Sequence, residues 1–314
     1  GGTAMKMSEV LLIKLDTNGF ERFYNRKMQE CGCTVLPISD FRREKYGLSV
    51  LRPLQLRQLT PRYLAQYRLI VLFEEPALFL YLKKRIDPSR TRLVLWNWNI
   101  TNRTWLRGNA PLRRRCENWT FDAVDAKKFG WKLNEQFYFA PETLPVRENA
   151  DGKAGLTAFS ACVDKGRYPM MKEMREALRR QGVATDFCLV SEPLRRYAAE
   201  DAAWIKTKGL PYEEFLQHTI QSDIVVEVVQ SRQVGITVRA LEAMFYHKKL
   251  ITNNAAIRKT PLYHPCNVLI WEPGVQEKLP AFLQAAYQPL PEATEKRYTF
   301  AAWLDNFLQP GAAD

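Results

Sequence analysis

Apolar residues come in short bursts separated by turn chemistry. Val10–Leu15 reads as five apolar side chains around one lysine and predicts a buried strand. Asp16-Thr17-Asn18-Gly19 is a turn, and Phe20–Glu30 carries its apolar residues at helical spacing. Cys33–Ile38 is a second strand, and Thr60-Pro61 opens a helix with proline at its first position. Strands at Leu69–Phe73, Arg92–Trp96 and Trp119–Phe121 follow, with a helix over Pro76–Arg85. Strands alternating with helices predict a parallel sheet covered on both faces.

The alternation lapses between Pro141 and Gly155, where the sequence turns polar and gains Pro and Gly, and then resumes. Strands are expected at Gly155–Ala161, Asp186–Val190, Ile224–Val229, Lys249–Thr252 and Val268–Trp271. Helices are expected at Met170–Gln181, ended by Gly182, at Tyr212–Ile220 and at Val238–Tyr246. Glu295–Leu308 reads as a closing amphipathic helix. The expected fold class is α/β, with two Rossmann-like domains facing across a cleft. Residues 5–145 form the first, 150–290 the second, and 291–310 the closing helix.

Composition narrows the function classes. With 314 residues, 46% apolar and 25% charged, the chain reads as globular, and no apolar run approaches the ~18 residues that cross a bilayer. Gly1-Gly2-Thr3-Ala4 looks like a remnant of cloning, and no secretory leader is expected. Six cysteines and three histidines show no metal-ligand spacing, so reduced thiols, no metal and a cytoplasmic location are expected. Charge divides the halves. Residues 1–150 carry 26 Lys and Arg against 15 Asp and Glu, and residues 151–314 carry 20 against 19. A basic first half, with clusters at Lys83-Lys84-Arg85 and Arg113-Arg114-Arg115, suits an anionic partner such as a membrane surface or a phosphorylated glycolipid, or else serves solubility.

The densest chemistry runs from Gln233 to Met244. It follows a strand and enters a helix. Gly235 allows close backbone approach, Thr237 caps the helix, and free amides at the helix start attract phosphate. Arg239 offers a bidentate fork to phosphate oxygens. Glu242, one turn on, shares that face and suits a ribose diol. An i,i+3 ion pair on a capped helix is the plainer account of the same residues. Asp164-Lys165-Gly166-Arg167 is a second strand–turn–helix anion site, with a solvated loop as its plainer account. No G-x-G-x-x-G follows Leu15 and no G-x-x-x-x-G-K-[ST] occurs, which argues against dinucleotide dehydrogenases and P-loop NTPases.

These residues resemble the donor domain of GT-B glycosyltransferases. More closely, Gln233-x-Gly-Ile-Thr-x-Arg-x-x-Glu-Ala-Met and Lys248–Asn254 resemble bacterial capsule and lipopolysaccharide-core biosynthesis proteins, as do Phe159–Arg167 and Thr120–Phe129. The resemblance covers roughly residues 90–275. It implies that Lys165, with Arg167, contacts the donor diphosphate and that Glu242 contacts the ribose. Many retaining members carry a further Glu eight residues before the ribose Glu. Val234 stands there, with Gln233 or Thr237 as substitutes, and Gln233 is assigned to the donor sugar.

Asp16, at the end of the first strand, is the candidate base for an acceptor hydroxyl, although Asp-Thr-Asn-Gly is also plain turn chemistry. Asp122 and Asp125 suit helix capping. Trp96, Trp98, Trp105 and Trp119, interleaved with Arg103, Arg107 and Arg113–Arg115, suit stacking on sugars or bases, or core packing. The expected function is transfer of a sugar from a nucleotide-sugar donor to a glycan or glycolipid acceptor in bacterial surface polysaccharide biosynthesis. It needs no metal and no cofactor beyond that co-substrate. The enzyme would be cytoplasmic and peripheral to an anionic membrane face, with no nucleic-acid partner. The alternatives are a basic, Trp-rich nucleic-acid-binding protein and a GT-B-shaped glycan binder without turnover.

Overall fold

The structure is a computed structural model, and it describes residues 5–38, 57–100, 110–145, 155–230 and 233–308. Arg103, Trp105, Arg107 and residues 1–4 lie outside the described residues. The chain divides into two compact units. The first takes residues 1–134 and 306–314, and the second takes 135–305.

In the first unit, six strands pair in parallel: β1 (Val10–Leu15), β2 (Thr34–Ile38), β3 (Leu69–Phe73), β4 (Arg92–Asn97), β5 (Asn118–Thr120) and β6 (Lys132–Leu133). Their order is β2-β1-β3-β4-β5-β6. Leu11, Ile13, Ile70, Leu72, Leu93 and Leu95 point into one core, which Leu78, Phe79 and Leu82 close from above. Near-continuous apolar strands are what a sheet buried on both faces requires. The helices between are α1 (Gly19–Glu30), α2 (Pro61–Leu64), α3 (Pro76–Lys83) and α4 (Ala123–Phe129). Asn18 caps α1 by accepting the Glu21 N–H, and Asp122 caps α4 by accepting from Val124 and Asp125, as its position after a strand predicts.

The second unit repeats the plan. Its strands are β7 (Thr157–Val163), β8 (Ala184–Val190), β9 (Ile205–Lys206), β10 (Ile224–Glu227), β11 (Lys249–Thr252) and β12 (Val268–Ile270). They lie in the order β12-β11-β10-β7-β8-β9, again all parallel. The helices are α5 (Tyr168–Arg180), α6 (Tyr212–Gln221), α7 (Val238–Phe245), α8 (Leu279–Gln284), α9 (Glu292–Arg297) and α10 (Phe300–Leu308), the last of which counts in the first unit from residue 306 on. Met171, Met174 and Leu178 of α5 pack on Ala158, Ile224, Val226 and Ile251 of the sheet. Strand order reverses between β1 and β3 in the first sheet and between β7 and β10 in the second. Those reversals are where open α/β sheets hold ligands, beyond the strand carboxyl ends.

Several expectations are corrected. The closing helix is two helices, because Tyr298 and Thr299 leave helical geometry and Thr299 pairs with Tyr138 instead. That pairing, with Phe137 against Trp303 and Tyr138 N–H donating to Tyr298, also draws residues 135–139 into the second unit, so the division falls earlier than the Pro141–Gly155 stretch. Helix α5 begins two residues before Met170, since Asp164 accepts the Tyr168 N–H and proline is tolerated in a first turn. Two-residue edge strands β6 and β9 carry no periodicity to read. Helix α3 turns Leu78, Phe79 and Leu82 into the core, so it presents no apolar face to a lipid surface. Trp96, Trp119 and Arg113 are buried, which removes them from any basic, aromatic nucleic-acid surface. No helix among the described residues is long and apolar enough to cross a membrane.

Candidate functional site

A cavity of about 170 Å3 opens at the β7/β10 reversal. Its floor is the carboxyl ends of the two strands, from Ser160 to Cys162 and from Val226 to Val229. Arg167, Gln233, Thr237 and Arg239 complete the wall. Two segments far apart in sequence, both singled out as anion sites, therefore meet at one place.

Asp164 builds the first segment. Fully buried, it accepts from Tyr168 N–H and the Tyr197 hydroxyl and pairs with Arg195 at 3.0 Å. The turn behind it needs left-handed backbone at Lys165 (φ +42°) and Gly166 (φ +86°). Arg167 then folds back across both strand ends. Its Nε donates to the Val228 carbonyl at 2.6 Å and one terminal nitrogen to Val163 at 2.8 Å. A guanidinium has five N–H donors, and among the described residues these two bonds fix it in place and leave other donors to offer. Lys165 is exposed and does not line the cavity.

Thr237 starts α7. Its hydroxyl accepts from Ala240 N–H at 2.9 Å and donates to Glu227 at 2.6 Å. Glu227, the last residue of β10, takes a second hydroxyl from Thr252 at 2.8 Å. Burial pushes its carboxyl above the usual range, and the two hydroxyls and the charges of Arg239 and Arg167 pull back. Sequence reasoning passed over Glu227. Its signal was a lone carboxylate inside the apolar run Ile224–Val229.

Arg239 lies with its guanidinium carbon 3.5 Å from the centre of the Phe215 ring and pairs with Glu242. Glu242 itself is fully buried and accepts from Tyr212 at 2.7 Å. Tyr212 in turn meets the Tyr138 hydroxyl at 2.9 Å. Burial raises the Glu242 carboxyl, opposed by Arg239 and Tyr212. The structure does not place Glu242 in the cavity lining: its buried carboxylate holds Arg239 from within. Gly235 does not line the cavity either. It is buried, and its carbonyl accepts from Asn254 at 3.1 Å. Asn253 clasps Val229 through both N–H and C=O, at 2.7 and 3.2 Å. The Gln233–Asn254 block thus holds the cavity's rim to β10 and β11.

Asp16 is exposed just past β1, its N–H bonded to Ile38, and belongs to the first unit.

No family model and no curated protein matches the sequence. Among solved structures, sucrose-phosphate synthase from Thermosynechococcus elongatus aligns with a TM-score of 0.60 at 11% identity, over 95% of this chain and 97% of that one. AviGT4, a glycosyltransferase involved in avilamycin A biosynthesis, aligns with a TM-score of 0.55 at 11% identity, over 95% of each chain. At such identity the likeness is one of fold, two Rossmann-like domains of the GT-B class, in agreement with the sequence reading.

Proposed function

We propose that the chain is a glycosyltransferase that moves a sugar from a nucleoside diphosphate to a hydroxyl of a glycan or glycolipid acceptor. The observation that carries this reading is the cavity at the β7/β10 reversal, where Arg167, Arg239 and the start of α7 converge. Two fixed guanidinia and a helix N-terminus form a site for a diphosphate. Glu227 and Gln233 supply hydrogen-bonding groups for the hydroxyls of the ribose or the sugar.

In the reaction the acceptor oxygen bonds to the anomeric carbon while the bond from that carbon to the diphosphate oxygen breaks. The acceptor proton passes to a base, for which Asp16 remains the proposed residue. The leaving diphosphate gains negative charge, and Arg167, Arg239 and the helix amides neutralise it without a metal. Lys165, on the exposed turn, is proposed to reach the outer phosphate. The resemblance of the Gln233–Asn254 block supports placing the reaction in bacterial surface polysaccharide biosynthesis, and the basic first half supports work beside an anionic membrane face.

Calorimetry with UDP, GDP, ADP and CDP, then with their sugar conjugates, tests the reading. At least one nucleotide is expected to bind, with release of the free nucleotide when the matching conjugate and an acceptor are supplied. Absence of binding across the panel overturns it.

A further inference from the structure

The first sheet has its own reversal, between β1 and β3, and a second cavity of about 210 Å3 stands there. Lys14 lines it. This lysine interrupts the apolar strand β1, and its residue is only 2% exposed. Among the described residues its ammonium makes one marginal hydrogen bond, 3.5 Å to the Leu15 carbonyl, and it lies 4.7 Å from the centre of the Trp98 ring. An ammonium has three donors, and among the described residues this buried one uses a single long bond. A buried cation in that condition costs stability, and nothing in the packing of β1 calls for it.

The rest of the wall is of two kinds. Trp98 and Phe73 form an apolar side, wedged edge to face at 5.4 Å. Glu21 and Glu74 form an acceptor side. Glu21 accepts from Thr17 N–H and hydroxyl at 2.7 and 2.6 Å, and Glu74 accepts from Asn99 N–H and amide at 2.9 Å each. Glu74 also sits at φ +60°, a conformation that side chains rarely adopt and that tends to occur at ligand sites.

Charge selects the occupant. A phosphate or carboxylate entering beside Lys14 meets Glu21 and Glu74, with Asp16 nearby. A cation meets Lys14. Hydroxyl groups satisfy both sides, accepting from the ammonium and donating to the carboxylates, and the C–H face of a sugar ring suits an aromatic wall. We propose that this cavity binds a neutral polyhydroxylated ring, a sugar residue free of phosphate and carboxylate, with Lys14 as donor and Glu21 and Glu74 as acceptors. Naming that sugar as the acceptor rests on the glycosyl-transfer reading. Its binding does not.

Saturation-transfer NMR on the full chain tests this, with D-glucose, D-galactose, N-acetyl-D-glucosamine and glucose 6-phosphate as probes. At least one neutral sugar is expected to give a signal on the wild type, and glucose 6-phosphate a weaker one. Lys14→Met keeps the volume of the side chain and removes the charge. It is expected to lose at least nine-tenths of the sugar signal while its Tm rises. Should that variant fail to fold, Glu74→Gln carries the test, with at least a fivefold loss expected. Silence from all three neutral sugars, preference for the phosphorylated one, or full signal in the variant overturns the proposal. Nucleotide calorimetry on the same samples separates the two readings: sugar bound without nucleotide defeats the donor site alone, and nucleotide bound without sugar defeats this cavity alone.

Discussion

Tyr212 donates its hydroxyl proton to Glu242 across 2.7 Å, and that single bond turns the carboxylate inward. A glutamate facing a ribose and a glutamate steadying an arginine make opposite demands on a mutant. Glu242→Gln still accepts from Tyr212 and still hydrogen-bonds Arg239, so nucleotide affinity should stay within about threefold of wild type. A direct ribose contact would instead lose charge-assisted bonds, about 1.5–3 kcal/mol. Glu242→Ala takes the carboxylate away from both Arg239 and Tyr212 and should cost about 3–5 kcal/mol of folding stability. Urea unfolding beside calorimetry reads both.

Arg167 is predicted to act on the ligand more than on the fold. Its substitution by Ala removes charge-assisted bonds to a diphosphate, and nucleotide affinity should fall by about 1.5–3 kcal/mol, or roughly tenfold to 150-fold. An unchanged Kd with intact circular dichroism would take Arg167 out of the donor site.

Thr237 serves two partners at once. Thr237→Val removes the cap of α7 and one of the two hydroxyls that satisfy Glu227, at a cost of about 1–2 kcal/mol. Thr237→Ser keeps both bonds and should unfold at nearly the wild-type urea concentration. Equal midpoints for Val and wild type would show that neither bond matters to the fold.

Lys14 makes stability depend on alkaline pH. Burial lowers its pKa from 10.5 to about 8, while the unfolded chain keeps the ordinary value. Between those values the unfolded state holds more protons, so stability rises with pH across that window and is flat for this group below about 8. The span is about 1–3 kcal/mol once the attraction of Trp98 for the ammonium is counted. Lys14→Met should abolish the rise and exceed the wild type at pH 7, as denaturant curves at pH 7, 8, 9 and 10 will read. Glu21, Glu74 and Asp16 face the same ammonium, and their charges oppose that lowering.

Metal dependence follows from the proposed handling of leaving-group charge. Transfer activity should persist in EDTA within about twofold of its untreated rate, an allowance below the tenfold that one 1.36 kcal/mol step represents. Loss in EDTA restored by Mg2+ or Mn2+ would transfer that task from Arg167 and Arg239 to a bound ion.

The β–α rhythm was legible because buried parallel strands need near-continuous apolar runs, and β1, β3, β7 and β10 supply them. Thr237 as cap and the convergence of Arg167 with Arg239 were legible for the same local reasons. What spacing does not encode is the direction of a side chain once tertiary partners compete for it. Glu242 was read on the face of Arg239, correctly, but its other neighbour, Tyr212, comes from thirty residues away and settles which way it points. Glu227 and Lys14 were hidden differently. Each is one polar residue in an apolar strand, and sequence alone does not say whether a strand end reaches solvent, a cavity or the core.

Phe307 lies 5.0 Å from Trp119 and 6.1 Å from Trp96, ring centre to ring centre, and Asn306 donates to Asn134 at 2.7 Å. The core of the first unit is therefore filled from residues made some 170 positions later. On a ribosome, the domain that emerges first is the domain completed last. Until α10 is released, two large indoles lack a neighbour, and the nascent chain carries an apolar opening of the kind that recruits chaperones. A fragment ending at Asn134 should bind hydrophobic dyes and self-associate, and a peptide spanning Phe300–Leu308, added in trans, should reduce both.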